Sequence, residues 1–304
     1  MKVFRKIGEL AHFLGEERFN AAVRQGKKIK TGFVPTMGYL HEGHASLLRR
    51  ARGENDLVVL SIFVNPIQFG PNEDFERYPR KEEQDLALAE REGVDAVFLP
   101  TVEEMYPKPT RTKIKVEGLT DSLCGASRPG HFDGVTTVVG KLLHIVRPDQ
   151  AYFGQKDAQQ AAVVAQMVED LNFPVRIVPC PIIRESDGLA LSSRNVYLSP
   201  EERQAALVLS GSLLKLQTEV EAGVEITAGQ ARKAVIQAIE AEPLAVIDYV
   251  EVVRFPSLEP LDGGTVLGET AEQEGVLVAL AVKFGKTRLI DNVILMNKGE
   301  QFHV

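Results

Sequence analysis

The chain has 304 residues, 44% of them hydrophobic, enough to bury a sizeable core in one large domain or two. Its 35 Lys and Arg stand against 42 Asp and Glu, a net charge of −7 with no basic block, which argues against a nucleic-acid partner held through its phosphates. Cys124 and Cys180 have no metal-ligand spacing and point to a reducing cytoplasm, residues 1–14 are too charged for a signal peptide, and no apolar run reaches membrane-spanning length.

Leu10, Phe13, Leu14, Ala21 and Ala22 recur at helical spacing and predict a packing helix from Ile7 to Gln25. Lys30 to Pro35 reads as the first strand, and His41 to Arg52 as a helix. The loop between them, broken by Pro35 and Gly38, sets a helix start just beyond a strand end. Unpaired backbone N–H groups and the positive end of the helix dipole there suit an anion, most often phosphate. His41 and His44 are three apart, so they share one face of the first turn and reach the same anion. Gly43 leaves room for a ligand against the backbone.

Asp56 to Val64 is an almost unbroken apolar run, as suits a parallel strand covered on both faces. It ends in a breaker-rich loop, Asn65 to Asn72. Asn65 and Gln68 fall beyond the strand's carboxyl end, where open parallel sheets bind ligands; turn-capping is the alternative. A charged helix from Arg80 to Gly93 and a strand from Asp95 to Leu99 follow. Lys113 to Val116 reads as a short peripheral strand. Residues 125–134 form a polar loop containing Gly125, Gly130 and Gly134, which leads into a helix from Val135 to Val146. From that loop Arg128 and His131 either face an anion or are simply solvated.

Asp149 to Phe153 is a short strand, and Gly154-Gln155-Lys156-Asp157 opens a helix from Ala158 to Leu171, a second strand-to-helix corner. Lys156 offers a mobile ammonium to phosphate. Asp157 suits two ribose hydroxyls, or else caps the helix. One of Gln159 and Gln160 must face the sheet end. Val175 to Val178 completes an alternation of strand and helix that predicts a doubly wound, Rossmann-like α/β domain over residues 1–183. Ser192-Ser193-Arg194-Asn195 supplies two hydroxyls and a planar fork, a phosphate clamp or a polar turn. Helical patterns at Pro200–Ala222 and Ala228–Ala241, with strands at Ile247–Val253, Val276–Ala281 and Thr287–Val293, predict a second, smaller α+β domain over residues 184–304. Glu259 to Glu274, rich in Gly and acids, reads as an exposed loop.

Taken in series, four blocks resemble the pantothenate synthetase family over nearly the whole chain. They are Pro35-Thr36-Met37-Gly38 running into His41-Glu42-Gly43-His44, then Phe63-Val64-Asn65-Pro66-Ile67-Gln68-Phe69, then Phe153-Gly154-Gln155-Lys156-Asp157 with Gln159-Gln160, and Ser192-Ser193-Arg194-Asn195. His-x-Gly-His alone marks a whole nucleotidyl-transfer superfamily; the blocks in this order are specific. The resemblance implies an ATP-dependent, homodimeric ligase with a carboxy-terminal lid domain, taking only small-molecule substrates. Pantoate would attack the α-phosphorus of ATP, with Mg2+ carried on the nucleotide, to give pantoyl adenylate and pyrophosphate. β-Alanine would then give pantothenate and AMP.

The resemblance also implies roles. Met37, Gly38, Tyr39, Leu40, His41, Glu42, Gly43 and His44 would line the ATP phosphates, with His44 the proton donor and His41 its companion. Gly154 and Asp157 would hold the ribose, in an ATP-binding run that includes Gln155, and Lys156 the phosphates. Ile183 would meet adenine through its backbone, and Leu191, Ser192, Ser193 and Arg194 would close over the outer phosphates. Gln68 and Gln160 would hold pantoate, Gln68 also near β-alanine, with Asn65, Tyr78, Arg128 and His131 further out. A plain nucleotidyltransferase shares the histidine corner but needs a basic pocket for a phosphorylated acceptor, where this chain has Asn65-Pro66-Ile67-Gln68-Phe69. Zinc-protease histidines stand four apart with Glu after the first; here the gap is three, Gly43 stands between, and no third ligand is obvious.

Overall fold

Six strands pair in parallel: β1 (Lys2–Phe4), β2 (Thr31–Thr36), β3 (Leu57–Ile62), β4 (Ala96–Phe98), β5 (Gln150–Gly154) and β6 (Arg176–Cys180), in the order β1-β4-β3-β2-β5-β6. They belong to a computed structural model that describes residues 1–71 and 73–296; Asn72 of the predicted loop and 297–304 of the predicted second domain lie outside the described residues. The helices between these strands are α1 (Ile7–Gln25), α2 (Glu42–Glu54), α3 (Glu82–Arg91), α4 (Val102–Met105), α5 (Leu123–Ser127), α6 (His131–Val146) and α7 (Ala158–Asp170). Strand side chains alternate between faces, so Phe33 and Val59 meet α1, α6 and α7, whereas Val34, Val58 and Leu60 meet α2 and α3. Each fully buried Leu or Phe of this double layer, such as Leu48 or Phe33, contributes about 1.5–3 kcal/mol.

The strand order reverses between β2 and β5, which are neighbours. β2 feeds α2 on one face and β5 feeds α7 on the other, so the chain parts and a crevice opens beyond their carboxyl ends. Both corners singled out above start there.

The rest of the chain forms α8 (Pro200–Ala205), α9 (Leu207–Glu221), α10 (Ala228–Glu240), α11 (Leu267–Gln273) and an antiparallel sheet of β7 (Ala245–Phe255), β8 (Gly275–Phe284) and β9 (Thr287–Leu295). Its own core gathers Leu209, Leu213, Val235, Val278 and Leu280. A further apolar cluster ties Val253 and Leu277 of this sheet to Leu123, Ala158 and Ala162 of α5 and α7.

Five local expectations are corrected. β1 precedes the strand read as first; three residues are too few to show a period. Residues 113–116 are not a strand, because α6 side chains satisfy the backbone there: Thr137 Oγ1 accepts from Ile114 N at 3.0 Å and Thr136 Oγ1 donates to Ile114 O at 2.6 Å. The polar loop of 125–134 is largely helical, with Gly125 and Gly134 serving packing and Gly130 a left-handed turn at φ +80°, and His131 is the first residue of α6. The helix expected from Pro200 to Ala222 is divided at Ala206. The acid-rich tract 259–274 contains α11, whose Leu267 and Ala271, four apart, pack into the second core.

Gly134 fixes how closely α6 approaches the loop after β3. A Cβ there would lie 2.5 Å from both Gln68 Cα and Ile67 O, so the contact is backbone on backbone. Gly134→Ala is expected to push the two apart and remove about 1–3 kcal/mol of stability, read as a lower urea midpoint at constant m-value. An unchanged midpoint would show that the loop yields freely.

Candidate active site

At the first corner Thr36 Oγ1 donates to Ser61 O at 2.8 Å and accepts from Gly38 N at 3.2 Å. The turn passes through left-handed residues, Gly38 at φ +86° and Tyr39 at φ +51°. Asp85 of α3, buried beneath it, accepts from Tyr39 N at 2.9 Å and Leu40 N at 2.6 Å. Burial pushes the Asp85 carboxyl up, against the opposing pull of those two N–H groups. A Cβ on Gly38 would lie 3.0 Å from Asp85 Oδ2, so the carboxylate can stand this close only under glycine.

His41 caps α2: its Nδ1 accepts from Gly43 N at 3.1 Å, while His44 Nδ1 accepts from His41 N at 3.2 Å. The two imidazoles therefore do the work of a capping box. A neutral ring that accepts at Nδ1 carries its proton on Nε2. Burial first, then the nearby Lys156 charge, lowers His41 to about 4. Burial, His41 and Lys156 together hold His44 well below the usual histidine range. Both rings are neutral at pH 7, their centroids 4.1 Å apart. The helix start thus differs from the sequence expectation. The N–H groups of Gly38, Tyr39, Leu40, His41 and Gly43 all have partners within the protein, and what the corner presents is imidazole N–H.

At the second corner Gly154 is followed by a single 3-10 turn, Gln155–Asp157, that leads into α7. Asp157 occupies the N-cap position without making a side-chain cap bond, so its carboxylate is not consumed by the helix; Lys156 Nζ lies 3.5 Å from it. Gln159 turns inward, accepting from Cys124 N and donating to Leu119 O and Ser122 O, and Gln160 is the one that faces the crevice.

Gln68 Nε2 reaches Met37 Sδ at 3.0 Å, and Asn65 Nδ2 donates to Gln68 Oε1 and to Gly134 O, each at 3.1 Å. Asn65 Oδ1 accepts from Tyr106 at 2.8 Å. Asn65 is therefore a strut behind Gln68. Arg128 and His131 are struts as well. Arg128 makes a fork to Glu73 at 2.6 Å and donates to His131 Nε2 at 2.9 Å, which leaves His131 Nδ1–H to donate to Gln68 O at 2.8 Å. Burial, then the Arg128 charge, lowers His131 to about 4.

Residues 183–195 fold back as a hairpin, with Leu191 N on Ile183 O at 3.0 Å and an antiparallel bridge between Arg184 and Ala190. Ser193, buried, donates to Tyr39 O at 3.4 Å. Arg194 lies over the Tyr78 ring and makes a fork to Asp74, both distances 3.0 Å.

Met37, His41, Gly43 and His44, then Gly154, Lys156, Asp157 and Gln160, then Ile183 with Leu191, Ser192, Ser193 and Arg194, and finally Gln68 and Tyr78 line one cavity of about 220 Å³. It opens through Lys156, Asp157, Gln160, Ser192 and Arg194 into a cleft of about 970 Å³ reaching the antiparallel sheet, and Arg128 and His131 border that cleft. Gly38, Tyr39 and Leu40 sit behind the wall on Asp85. Glu42 is exposed and pairs with Arg49, and Gln155 borders a different cavity, behind its own turn. Sequence reasoning missed Asp85, Glu73, Asp74 and Tyr106, each one acid or aromatic among many.

The buried neutral histidines make stability depend on pH. For His41 and His131 the folded value, about 4, lies below the unfolded value, about 6.5. Stability is then complete above the higher value and is lost as pH falls toward the lower, by on the order of 1.4 kcal/mol per pH unit for each ring. Urea midpoints at stepped pH should fall through this window, and less steeply in His131→Asn, whose amide keeps a donor for Gln68 O. An equal slope in that variant would show that His131 is not one of the groups responsible.

With this geometry in view, the comparisons with known proteins are specific. The family model described as Pantoate-beta-alanine ligase matches residues 2–294. A pantothenate synthetase from Acetivibrio thermocellus is 61% identical over 265 residues, 87% of this chain and 91% of that protein. One from Pelotomaculum thermopropionicum is 57% identical over 295 residues, 97% of this chain and 99% of that protein. The crystal structure of pantothenate synthetase from Thermus thermophilus superimposes with a TM-score of 0.87 at 47% identity, covering 97% of this chain and all 100% of that one. A pantoate–β-alanine ligase from Francisella tularensis, solved in complex with beta-gamma ATP and β-alanine, gives a TM-score of 0.76 at 33% identity, covering 97% of each chain. The chain belongs to the pantoate–β-alanine ligase family.

Proposed function

We propose that this protein condenses pantoate with β-alanine to pantothenate at the expense of ATP, through a pantoyl adenylate. A pantoate carboxylate oxygen attacks the α-phosphorus, the bond to the bridging oxygen breaks, and pyrophosphate leaves. The amine of β-alanine, having shed a proton, then attacks the acyl carbon, and AMP departs with the carbon–oxygen electrons. The observation that carries this reading is that both corners of the strand reversal open on one cavity with the Gln68 and Gln160 amides beside it.

The residue types suit the chemistry. Pantoate is already ionised at neutral pH, so the first step needs no general base; its obstacle is negative charge gathering around phosphorus. His41 and His44 meet that charge as neutral Nε2–H donors, and Lys156 as a cation, with Met37 and Gly43 alongside and Ser192, Ser193 and Arg194 toward the outer phosphates. Gly154 and Asp157 hold the ribose, and Ile183 the base. For Arg194 to reach phosphate it must exchange its fork to Asp74 for the new anion. Amides at Gln68 and Gln160 orient a hydroxy acid without pairing off its nucleophilic carboxylate, and Tyr78 closes the same wall.

Magnesium belongs to this reading as a companion of the ATP phosphates, where it would offset their charge. Asp157 and Asp74 are already matched by Lys156 and Arg194, and among the described residues no group of three His, Cys, Asp or Glu is placed to hold an ion. We further propose residues 1–183 as the nucleotide and pantoate domain, 184–304 as its lid, and a homodimer in the cytoplasm. The family resemblance supports the dimer, and the buried, unpaired Cys124 and Cys180 support a reducing compartment. Among the described residues no helix is long and apolar enough to cross a membrane.

The deciding assay is product analysis: pyrophosphate should leave ATP only when pantoate is present, with AMP and pantothenate appearing once β-alanine is added. Pyrophosphate release that ignores pantoate but answers to a phosphorylated acceptor would favour a nucleotidyltransferase. His44→Asn keeps an acceptor for His41 N–H but has no donor at the Nε2 position. It should melt near the parent temperature while adenylate formation slows on the order of a hundredfold or more. His44→Ala should also lose about 1 kcal/mol of stability through the cap. Near-parental rates in His44→Asn would remove the ring from the mechanism.

A further inference from the structure

We propose that Asn292, on β9 of the antiparallel sheet, is a positioning residue for Lys156, so that the second domain sets where the phosphates are met. The inference rests on the reading of Lys156 as a phosphate ligand and goes beyond it, because Asn292 lies in the other domain.

The two protons of Asn292 Nδ2 go to two successive carbonyls of the 3-10 turn, Gln155 O at 3.0 Å and Lys156 O at 2.9 Å. That turn carries Lys156 from the end of β5 to the start of α7. The side chain is buried, and its Oδ1 has no hydrogen-bond partner. A buried acceptor left unpaired is costly, and the amide cannot flip to satisfy it without turning oxygen against two carbonyl oxygens. The orientation is therefore dictated by the two carbonyls.

Asn292 is itself held in place. Its N–H donates to Asp291 Oδ1 at 2.8 Å, and Asp291 accepts a fork from Arg184 at 2.6 and 3.0 Å. Arg184 also donates to Gly188 O, within the hairpin that carries Leu191 to Arg194. Neighbouring residues of one strand thus grip both pieces of chain that border the cavity: the Lys156 turn through Asn292, and the serine–arginine hairpin through Asp291. β9 is registered residue by residue on β8, with Ala279 opposite Asn292, so the grip moves as part of the sheet.

The test is Asn292→Leu, which keeps the volume and removes both donors, followed by pantoate-dependent pyrophosphate release at varied ATP. Displacing a reacting group by about 1 Å can cost a hundredfold, so kcat/KM for ATP should fall about tenfold or more, while KM for β-alanine stays within about twofold. In a Lys156→Ala chain the same substitution should cost less than about twofold, because the group it positions is gone. Equal losses in both backgrounds, or an unchanged kcat/KM for ATP, would overturn the proposal. Should Asn292→Leu melt below the assay temperature, Asn292→Ser, with a single shorter donor, must show the same ATP-selective loss; a loss spread evenly over ATP, pantoate and β-alanine would overturn it too. Undiminished ATP turnover in Lys156→Ala alone would instead sink the reading of Lys156.

Discussion

The reversal of strand order between β2 and β5 is the constraint on which the site depends. Parallel strands need long return connections, and where neighbouring strands send theirs to opposite faces nothing covers the sheet edge between them. Two helices begin at that gap, one carrying His41 and His44, the other preceded by Lys156 and Asp157. Both open on one cavity, so the chemistry has one place to gather. The buried layers on both faces make that place rigid: Phe33 and Val34, consecutive in β2, are each wholly buried in a different core.

Around the gap most of the charge is held in matched sets. Arg128 is forked to Glu73, Arg194 to Asp74 and Arg184 to Asp291, and Lys156 stands beside Asp157. Such pairs keep guanidinium groups ordered in a partly dry crevice, where a lone charge would be expensive. They also mean that an arriving polyanion competes with carboxylates rather than filling a bare cationic hole. The groups beside His41 that stay without charge, the imidazoles and the Gln68 and Gln160 amides, are those nearest the reacting end in the proposed reading.

Much of this was legible from residues alone. The long apolar runs of β2 and β3, the breakers at Pro35 and Gly38, and the Gly154–Asp157 corner placed the sheet, the gap and His41, His44, Lys156 and Asp157 beside it, because each depends on local pattern. Met37, Tyr78, Ile183 and Leu191 came only with the family resemblance, and the apolar wall from α6, Val135 to Leu142, was not foreseen. What stayed hidden depends on partners distant in sequence. Asp85 was one more acid on a charged helix until the fold brought it under Tyr39 and Leu40. Arg128 and His131 looked free because Glu73 and the Gln68 carbonyl, their partners, lie in another loop. The strand expected at Lys113–Val116 failed for the same reason: alternation was present, but threonines of α6 had taken the backbone groups. The α11 helix was masked by its acidic composition, although Leu267 and Ala271 carried the right spacing.

The paired imidazole cap has an evolutionary corollary. Each ring serves folding through its Nδ1, His44 on the backbone N–H of His41 and His41 on that of Gly43, and both rings line the pocket. An apolar substitution at either position strips a donor from the crevice and an acceptor from a main-chain N–H in one event. Selection for a well-formed helix and selection for turnover therefore act on the same two side chains.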